Sequence, residues 1–320
     1  MSSFKVFVTD RFDVDSFVHL ASKTEASRTR TPDLNEAELS TVNGLVIRSR
    51  TKISKALIER APQLKAIVTS TSGFDHIDLA ACENAGIKVM YTPNANAASA
   101  CELTWALILA AARKIPKANA MVKVGDWNRE PLMGLQLNGK TYGVIGLGRI
   151  GSRVANVARA FGMKVIAYDP YNDEFGVNQR VSLDELFKLA DVVSIHVPAT
   201  HETQNMISRT LFQDGTEGLL FVNTSRGSVV EDSVLIEALD EGWIGACGLD
   251  VFAREPLSQE SKLLKRDNVV LSPHIGATTN EAFKAASDEA ADKMVAFAQH
   301  GTISDELPGN APWMDSKFRA

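Results

Sequence analysis

Short runs of β-branched and apolar residues recur along the chain, and the stretches between them carry apolar positions at helical spacing. In the first part the runs are Lys5–Thr9, Gly44–Arg48, Lys65–Thr69 and Lys88–Tyr91. In the second they are Thr141–Gly146, Lys164–Asp169, Asp191–His196, Leu219–Asn223, Ala246–Val251 and Asn268–Ser272. Nearly continuous apolar strands alternating with helices predict parallel βαβ units whose sheets are covered on both faces. Ser182-Leu183-Asp184-Glu185 has the form of a capping box and predicts the start of one covering helix. A proline after a strand, in Thr92-Pro93-Asn94, marks a junction. The Ala-rich stretch that follows, Ala95–Ala112, is apolar nearly all round and predicts a helix buried on several sides, between domains, between subunits, or both. A second long helical pattern, Asn280 to Gln299, has the length to return to the first lobe, and the residues from Gly301 onward read as a tail.

Composition narrows the class. A chain of 320 residues exceeds most single cores, so two lobes are expected. It is 45% apolar and 23% charged, as ordinary globular proteins are, and its net charge of −5 argues against a nucleic-acid partner or a polybasic membrane contact. The three cysteines, Cys82, Cys101 and Cys247, are scattered and form no C-x-x-C pair. They read as reduced thiols of a cytoplasmic protein, with no metal site. No targeting or membrane-spanning segment is expected, since the longest apolar run, Leu103–Ala112, is about half a span.

The sharpest motif is Gly146-Leu147-Gly148-Arg149-Ile150-Gly151, a G-x-G-x-x-G. Alone that pattern is weak. Here it follows one strand and opens a helical run, and a second strand ends in Asp169, 23 positions after Gly146. Strand, glycine turn, helix and terminal acid in this order are the fingerprint of a dinucleotide site. Gly146 permits the turn, Gly148 has no side chain to hold off a pyrophosphate, and Gly151 lets the helix pack closely on the sheet. Unpaired N–H groups of the first turn, including those of Arg149 and Ile150, face the phosphates. Asp169 would accept from the ribose hydroxyls and repel a 2′-phosphate, which favours NAD over NADP. Because this unit sits in mid-chain, the expected architecture is α/β with two Rossmann-like (doubly wound or flavodoxin-like) lobes. Residues 96–282 form the NAD-binding lobe, inserted into a substrate-binding lobe made of residues 1–95 and 283–320.

Three later segments each follow a strand, at the edge where open α/β sheets place ligands. They are Asn223-Thr224-Ser225-Arg226-Gly227, Gly248-Leu249-Asp250-Val251-Phe252-Ala253-Arg254-Glu255-Pro256, and Ser272-Pro273-His274-Ile275-Gly276-Ala277. Taken singly, each polar residue has a bland alternative. A lone His is commonly structural, a Glu solvated, an Arg paired with a nearby acid. Together, after successive strands of one dinucleotide fold, Arg226, Glu255 and His274 form a candidate catalytic set.

The segments LNGKTYGVIGLGRIG, VNTSRGSVVED, GLDVFAREP and SPHIGATTNEA resemble those of the D-isomer-specific 2-hydroxyacid dehydrogenases. YTPNANAASACELTWALILAAARKIP is similar to the D-3-phosphoglycerate dehydrogenase branch in particular. The resemblance implies an NAD-dependent oxidoreductase acting on a small anionic 2-hydroxy or 2-oxo acid. It implies His274 as the acid that protonates the carbonyl oxygen, Glu255 as the group that holds and charges it, and Arg226 as the fork that binds the substrate carboxylate. It places Asp250 by the nicotinamide carboxamide and His196 by the adenosine, and implies cofactor contacts at Pro198, Thr224 and Gly276. It also implies a homodimer built on the Ala95–Ala112 region. Formate dehydrogenases of the superfamily fit less well, because Glu255 stands where they resemble one another in having glutamine.

Substrate recognition is less legible. If Arg48-Ser49-Arg50-Thr51-Lys52 is extended, Arg48, Arg50 and Lys52 share a face and form a basic stripe suited to an anion. Ser72 and Gly73, in Ser70-Thr71-Ser72-Gly73-Phe74-Asp75-His76, resemble a loop whose N–H groups hold the substrate carboxylate. The phosphoglycerate branch has an arginine where this chain has Thr69, and commonly a small residue where this chain has Arg50. That leaves open a relocated phosphate contact, a glyoxylate/hydroxypyruvate reductase, or a non-catalytic NAD-sensing protein like the corepressors that share the fold.

Overall fold

A computed structural model describes residues 4–309. The chain divides into two compact units, one made of the chain up to Ala97 and from Ala277 onward, the other of Ala98–Gly276. The first begins with β1 (Lys5–Val8), β2 (Glu25–Arg28), β3 (Gly44–Ile47), β4 (Ala66–Thr69) and β5 (Lys88–Tyr91). All five run parallel in the order β5-β4-β3-β1-β2. The second holds β6 (Thr141–Ile145), β7 (Lys164–Tyr168), β8 (Gln179–Arg180), β9 (Val192–Ile195), β10 (Leu219–Asn223), β11 (Ile244–Leu249) and β12 (Val269–Leu271). These form one parallel sheet, β12-β11-β10-β9-β6-β7-β8.

Both orders are doubly wound: the chain starts in mid-sheet, works outward, then returns to the other side of its first strand. Right-handed crossovers then place helices on both faces, so the central strands are buried along their whole length. In β3, β4, β9 and β10 every residue is buried. β2 and β8 escape sequence reading because they are edge strands of polar, mostly exposed residues, with no apolar run to announce them.

The helix Ala97–Ala112 is largely buried within its own unit. Cys101, Trp105, Leu107, Ile108, Ala111 and Ala112 pack with Tyr142, Val144, Val154 and Val222. The helix Asn280–His300 lies against β3, β4 and the helix Val14–Ala21. It contributes Ala290, Ala291 and Met294 to a core with Val6, Val8, Val46, Val68 and Met90. Because that packing begins near its first turn, the unit boundary falls at Ala277 and not at residue 283.

Residues 302–309 are not a tail, and the rest of that expected tail, from residue 310 onward, lies outside the described residues. Gly301 ends the helix with φ 67°, and β13 (Glu306–Leu307) then adds antiparallel to β5. The tie is Lys293, 7% exposed, whose Nζ donates to Tyr91 O at 2.6 Å, to Asp305 Oδ2 at 2.9 Å and to Glu289. No sequence periodicity reports an ammonium bonding to a strand end 202 positions away. Among the described residues no helix is long and apolar enough to cross a membrane.

Replacing Lys293 by Met should remove these bonds and leave Asp305 and Glu289 facing each other. We expect a loss of about 2 kcal/mol in denaturant unfolding. An unchanged midpoint would mean that the clasp contributes nothing.

Candidate active site

Parallel strands present the loops after their C-terminal ends on one edge of the sheet. In the second unit that edge collects the glycine turn, Asp169, His196, the Arg226 loop, Asp250 and the His274 loop.

At the end of β6, Gly146 has φ 87°, and a Cβ there would lie 2.6 Å from His196 O. A Cβ on Gly151 would lie 1.9 Å from Gly146 O, so the helix Arg149–Ala160 can seat on the turn only with a glycine at that position. Gly148 is the N-cap and makes no side-chain cap, and nothing stands within 4 Å of where its Cβ would be. Open space beside uncapped N–H groups, including those of Arg149 and Ile150, is what a pyrophosphate requires. Asp169 accepts from Leu147 N at 2.8 Å and from Tyr171 N at 2.9 Å. The acid therefore braces the glycine turn, with lone pairs to spare for ribose hydroxyls. His196 donates its backbone N–H to Ile145 O at 2.7 Å, and Pro198 O accepts from Thr203 Oγ1 at 2.6 Å. Burial pushes the His196 imidazole down to about 3, so it is neutral. These features fit a dinucleotide.

Two buried polar side chains shape the next loops. Asn223 ends β10, accepts from Ser225 N at 3.0 Å and Ser225 Oγ at 2.9 Å, and donates to Arg226 O at 2.9 Å. The loop carrying Arg226 is thus tied to its own strand end, and Arg226 Nη1 donates to Ser225 O at 2.7 Å. Gly227 follows because a Cβ there would lie 1.9 Å from the Phe252 carbonyl. Thr224 Oγ1 is 2.8 Å from Thr104 Oγ1. Asp250, 0% exposed, follows β11 and accepts from Ser272 Oγ at 2.6 Å, Ile275 N at 2.8 Å and Gly276 N at 2.9 Å. Its carbonyl accepts from His274 N at 2.8 Å. One carboxylate thus wraps the loop that presents His274, which stands at φ 54°, a left-handed conformation that a non-glycine residue keeps only when its surroundings hold it there. Asn223, Ser272 and Thr104 were not singled out from sequence. An Asn two positions before a Ser is an Asx-turn signal that would have found the first.

His274 Nδ1 meets Glu255 Oε2 at 2.8 Å, and Glu255 Oε1 accepts from Phe252 N at 3.1 Å. The hydrogen bond to Glu255 raises the His274 pKa against burial, which works to lower it. For Glu255, burial works upward, but the bond and charge of His274, the Phe252 N–H and the Arg226 charge outweigh it and hold the carboxyl below its usual range. His274's share of stability is therefore full below the ordinary imidazole pKa and fades as pH rises through its raised value. Glu255's share is present above the ordinary carboxylate pKa and fades as pH falls through its lowered one. With Nδ1 committed to Glu255, Nε2 is left to exchange a proton with a ligand.

In the first unit the basic stripe does not form. The chain turns at Arg48–Thr51, closed by Thr51 N to Arg48 O at 3.1 Å, so Arg48, Arg50 and Lys52 do not share an extended face. Arg50 is engaged as a fork by buried Asp10, with Nε 2.9 Å from Oδ2. Arg48 lies with its guanidinium 5.1 Å from the Phe283 ring centroid, and its Nη1 is buried with no partner among the described residues. Two more such atoms, Ser70 Oγ and Thr92 Oγ1, follow the neighbouring strands β4 and β5. The loop with Ser72 and Gly73 is tied by Thr71 Oγ1 to Gly73 O at 2.7 Å, and Thr69 bonds Thr71 and His76. Among the described residues no cluster of three His, Cys, Asp or Glu side chains could hold a metal ion.

A twisted parallel sheet in Rossmann order, a glycine turn against an uncapped helix, and a His–Glu pair on the same edge define a nicotinamide-dinucleotide oxidoreductase. Residues 105–276 match the family model of the D-isomer specific 2-hydroxyacid dehydrogenase, NAD binding domain. The chain is 42% identical to a hydroxypyruvate reductase of Thermotoga maritima over 92% of its length and 98% of that protein's. It is 41% identical to a D-3-phosphoglycerate dehydrogenase of Methanocaldococcus jannaschii over 91% of its length but 56% of that protein's, so it spans about half of that longer relative. A D-lactate dehydrogenase from Aquifex aeolicus, solved with NAD and lactic acid, superposes with a TM-score of 0.85 at 32% identity, covering 95% of this chain and 99% of that one. The chain belongs to the D-isomer specific 2-hydroxyacid dehydrogenases. It is an NAD-binding oxidoreductase acting on CH–OH groups.

Replacing Glu255 by Gln should lower the His274 pKa, because the charge that favours the imidazolium is gone. An NMR titration of the imidazole reads this directly. An unchanged His274 pKa would show that Glu255 does not set it.

Proposed function

We propose that this protein interconverts a small D-2-hydroxy acid and its 2-oxo acid, with hydroxypyruvate or glyoxylate preferred to a phosphorylated substrate. The observation that carries the reaction is the His274–Glu255 pair, held at the edge that bears the glycine turn. When bound, the nicotinamide supplies the hydride chemistry. His274 Nε2 gives a proton to the carbonyl oxygen in reduction and takes it back in oxidation, while Glu255 keeps the ring oriented and charged. Arg226 binds the carboxylate with its planar fork and polarises the carbonyl. Asp169 selects NAD by its charge, with Gly146, Gly148, Arg149, Ile150, Gly151, His196, Pro198, Thr224, Asp250 and Gly276 as further cofactor contacts. For Asp250 this role stands beside its hold on the His274 loop. Arg48, Ser72 and Gly73 contribute to the substrate anion.

Three observations favour an unphosphorylated substrate. Arg50 is paired with Asp10, which argues against its standing in for the arginine that the phosphoglycerate branch has where this chain has Thr69. Among the described residues of the first unit, Arg48 is the arginine that keeps a buried N–H without a partner. The Thermotoga hydroxypyruvate reductase is matched over nearly its whole length. The decisive experiment is a steady-state panel of hydroxypyruvate, glyoxylate, pyruvate and 3-phosphohydroxypyruvate with NADH and with NADPH. Hydroxypyruvate or glyoxylate should show the highest kcat/KM, and NADH should exceed NADPH by about tenfold or more. A highest kcat/KM with 3-phosphohydroxypyruvate would transfer the reading to phosphoglycerate, and no NADH consumption with any of them would end the enzymatic reading.

We also infer a cytoplasmic homodimer. The three cysteines are free and buried. The Ala95–Ala112 region expected at the contact buries most of its large apolar residues in its own unit but leaves Leu109 exposed. The stretch that follows is different: Ile115 and Val122 are exposed, Trp127 is 69% exposed, and Val124 and Met133 are each 81% exposed. A run of large apolar side chains left in water marks a surface that a second copy would cover. Wild-type protein should sediment as a dimer and Trp127→Glu should shift it toward monomer. A monomeric wild type would refute the assignment.

A further inference from the structure

A buried polar chain runs beneath the dinucleotide turn. Tyr142 on β6 and Ser194 on β9 are both 0% exposed. The Tyr142 hydroxyl bonds Ser194 Oγ, and Ser194 Oγ lies 2.7 Å from His196 Nε2. Trp105 stacks on the Tyr142 ring with centroids 5.7 Å apart. None of the three side chains has another hydrogen-bond partner among the described residues.

Two hydroxyl protons must therefore be placed among three groups. The phenol carries one, and its sole acceptor is Ser194 Oγ. The serine carries the other, and with the phenol donating to it, its acceptor is His196 Nε2. That nitrogen must be bare, and the proton of the neutral ring sits on Nδ1. With Nε2–H donating to serine, either the phenol O–H (serine donating to it) or the serine O–H (serine accepting from both) is stranded in the core with no acceptor, the costly case for a buried donor. Burial keeps the ring neutral, as its pKa near 3 indicates, so the tautomer is the one state left to set.

We propose that Tyr142 and Ser194 are positioning residues that fix His196 as the Nδ1–H tautomer, so that it offers a hydrogen-bond donor to an acceptor atom of the bound dinucleotide. The proposal rests on the dinucleotide reading above for its second half only. His196 stands where that half needs it. β6 and β9 are neighbours at the point where the strand order reverses, and the His196 carbonyl packs against Gly146. Ribose oxygens, phosphate oxygens and adenine ring nitrogens all accept, so a bare ring nitrogen facing them would repel and an N–H binds.

Long-range 1H–15N correlation spectra of protein labelled at its six histidines separate the tautomers. His196 is assigned by the signal lost in His196→Gln. Without cofactor, wild-type His196 should show the Nδ1–H pattern. Ser194→Ala alone would leave the phenol without an acceptor, so the informative variant is Tyr142→Phe/Ser194→Ala, which replaces the pair by apolar groups. It should show a mixture of tautomers, with KM for NADH raised about fivefold and kcat within about twofold of wild type. A wild-type ring protonated at Nε2, or a variant with an unchanged tautomer, overturns the relay. A changed tautomer with unchanged KM overturns its use for the cofactor. Failure of wild type to bind NADH would instead strike the dinucleotide reading, and the tautomer measurement would stand apart from it.

Discussion

In a parallel sheet all strands end on the same edge, and the chemistry of Ala98–Gly276 depends on that constraint. Residues remote in sequence, from Gly146 to His274, follow β6, β7, β9, β10, β11 and β12, so the pairing of those strands delivers their loops to one edge. The strands hold this arrangement because they are apolar on both faces and buried by helices. Burial in turn requires that each helix approach closely, which is why Gly151 has no room for a methyl group against Gly146 O. The turn that admits a pyrophosphate and the contact that seats the helix are one packing solution.

Loops at such an edge lack the regular ladder of the sheet, and here buried polar side chains replace it. Asn223 ties the Arg226 loop to the end of β10. Asp250 gathers Ser272, Ile275 and Gly276, and with its own carbonyl the His274 amide. A carboxylate with 0% exposure is stable only with its oxygens bonded, and these groups meet that need. The same bonds make a left-handed His274 tolerable and orient it toward Glu255. The raised pKa of that histidine is thus a property of loop construction as well as of its neighbour.

The first unit uses its equivalent edge differently. Asp10 at the end of β1 takes the fork of Arg50, and Arg48 spreads over Phe283. What remains among the described residues of this unit is a small set of buried, unpaired polar atoms at Arg48, Ser70, Thr92 and Asn96.

Ten of the strands, the two long helices, the glycine turn and the strand-end loops that carry Arg226, Glu255 and His274 were legible in the sequence. Each rests on local information: apolar runs, turn residues, and motifs confined to a few positions. The polar edge strands β2 and β8, the return of Glu306–Leu307 to β5, the loss of the basic stripe and the proton order along Tyr142, Ser194 and His196 were not. These depend on pairings between residues far apart in the chain, such as Lys293 with Tyr91 O, Arg50 with Asp10, and Tyr142 with Ser194. The sequence by itself determined which chemical groups the protein owns and which strand each one follows. The tertiary structure decided which of those groups already have partners and which are left for a ligand, because a charge or a proton is spoken for only by what folding places beside it.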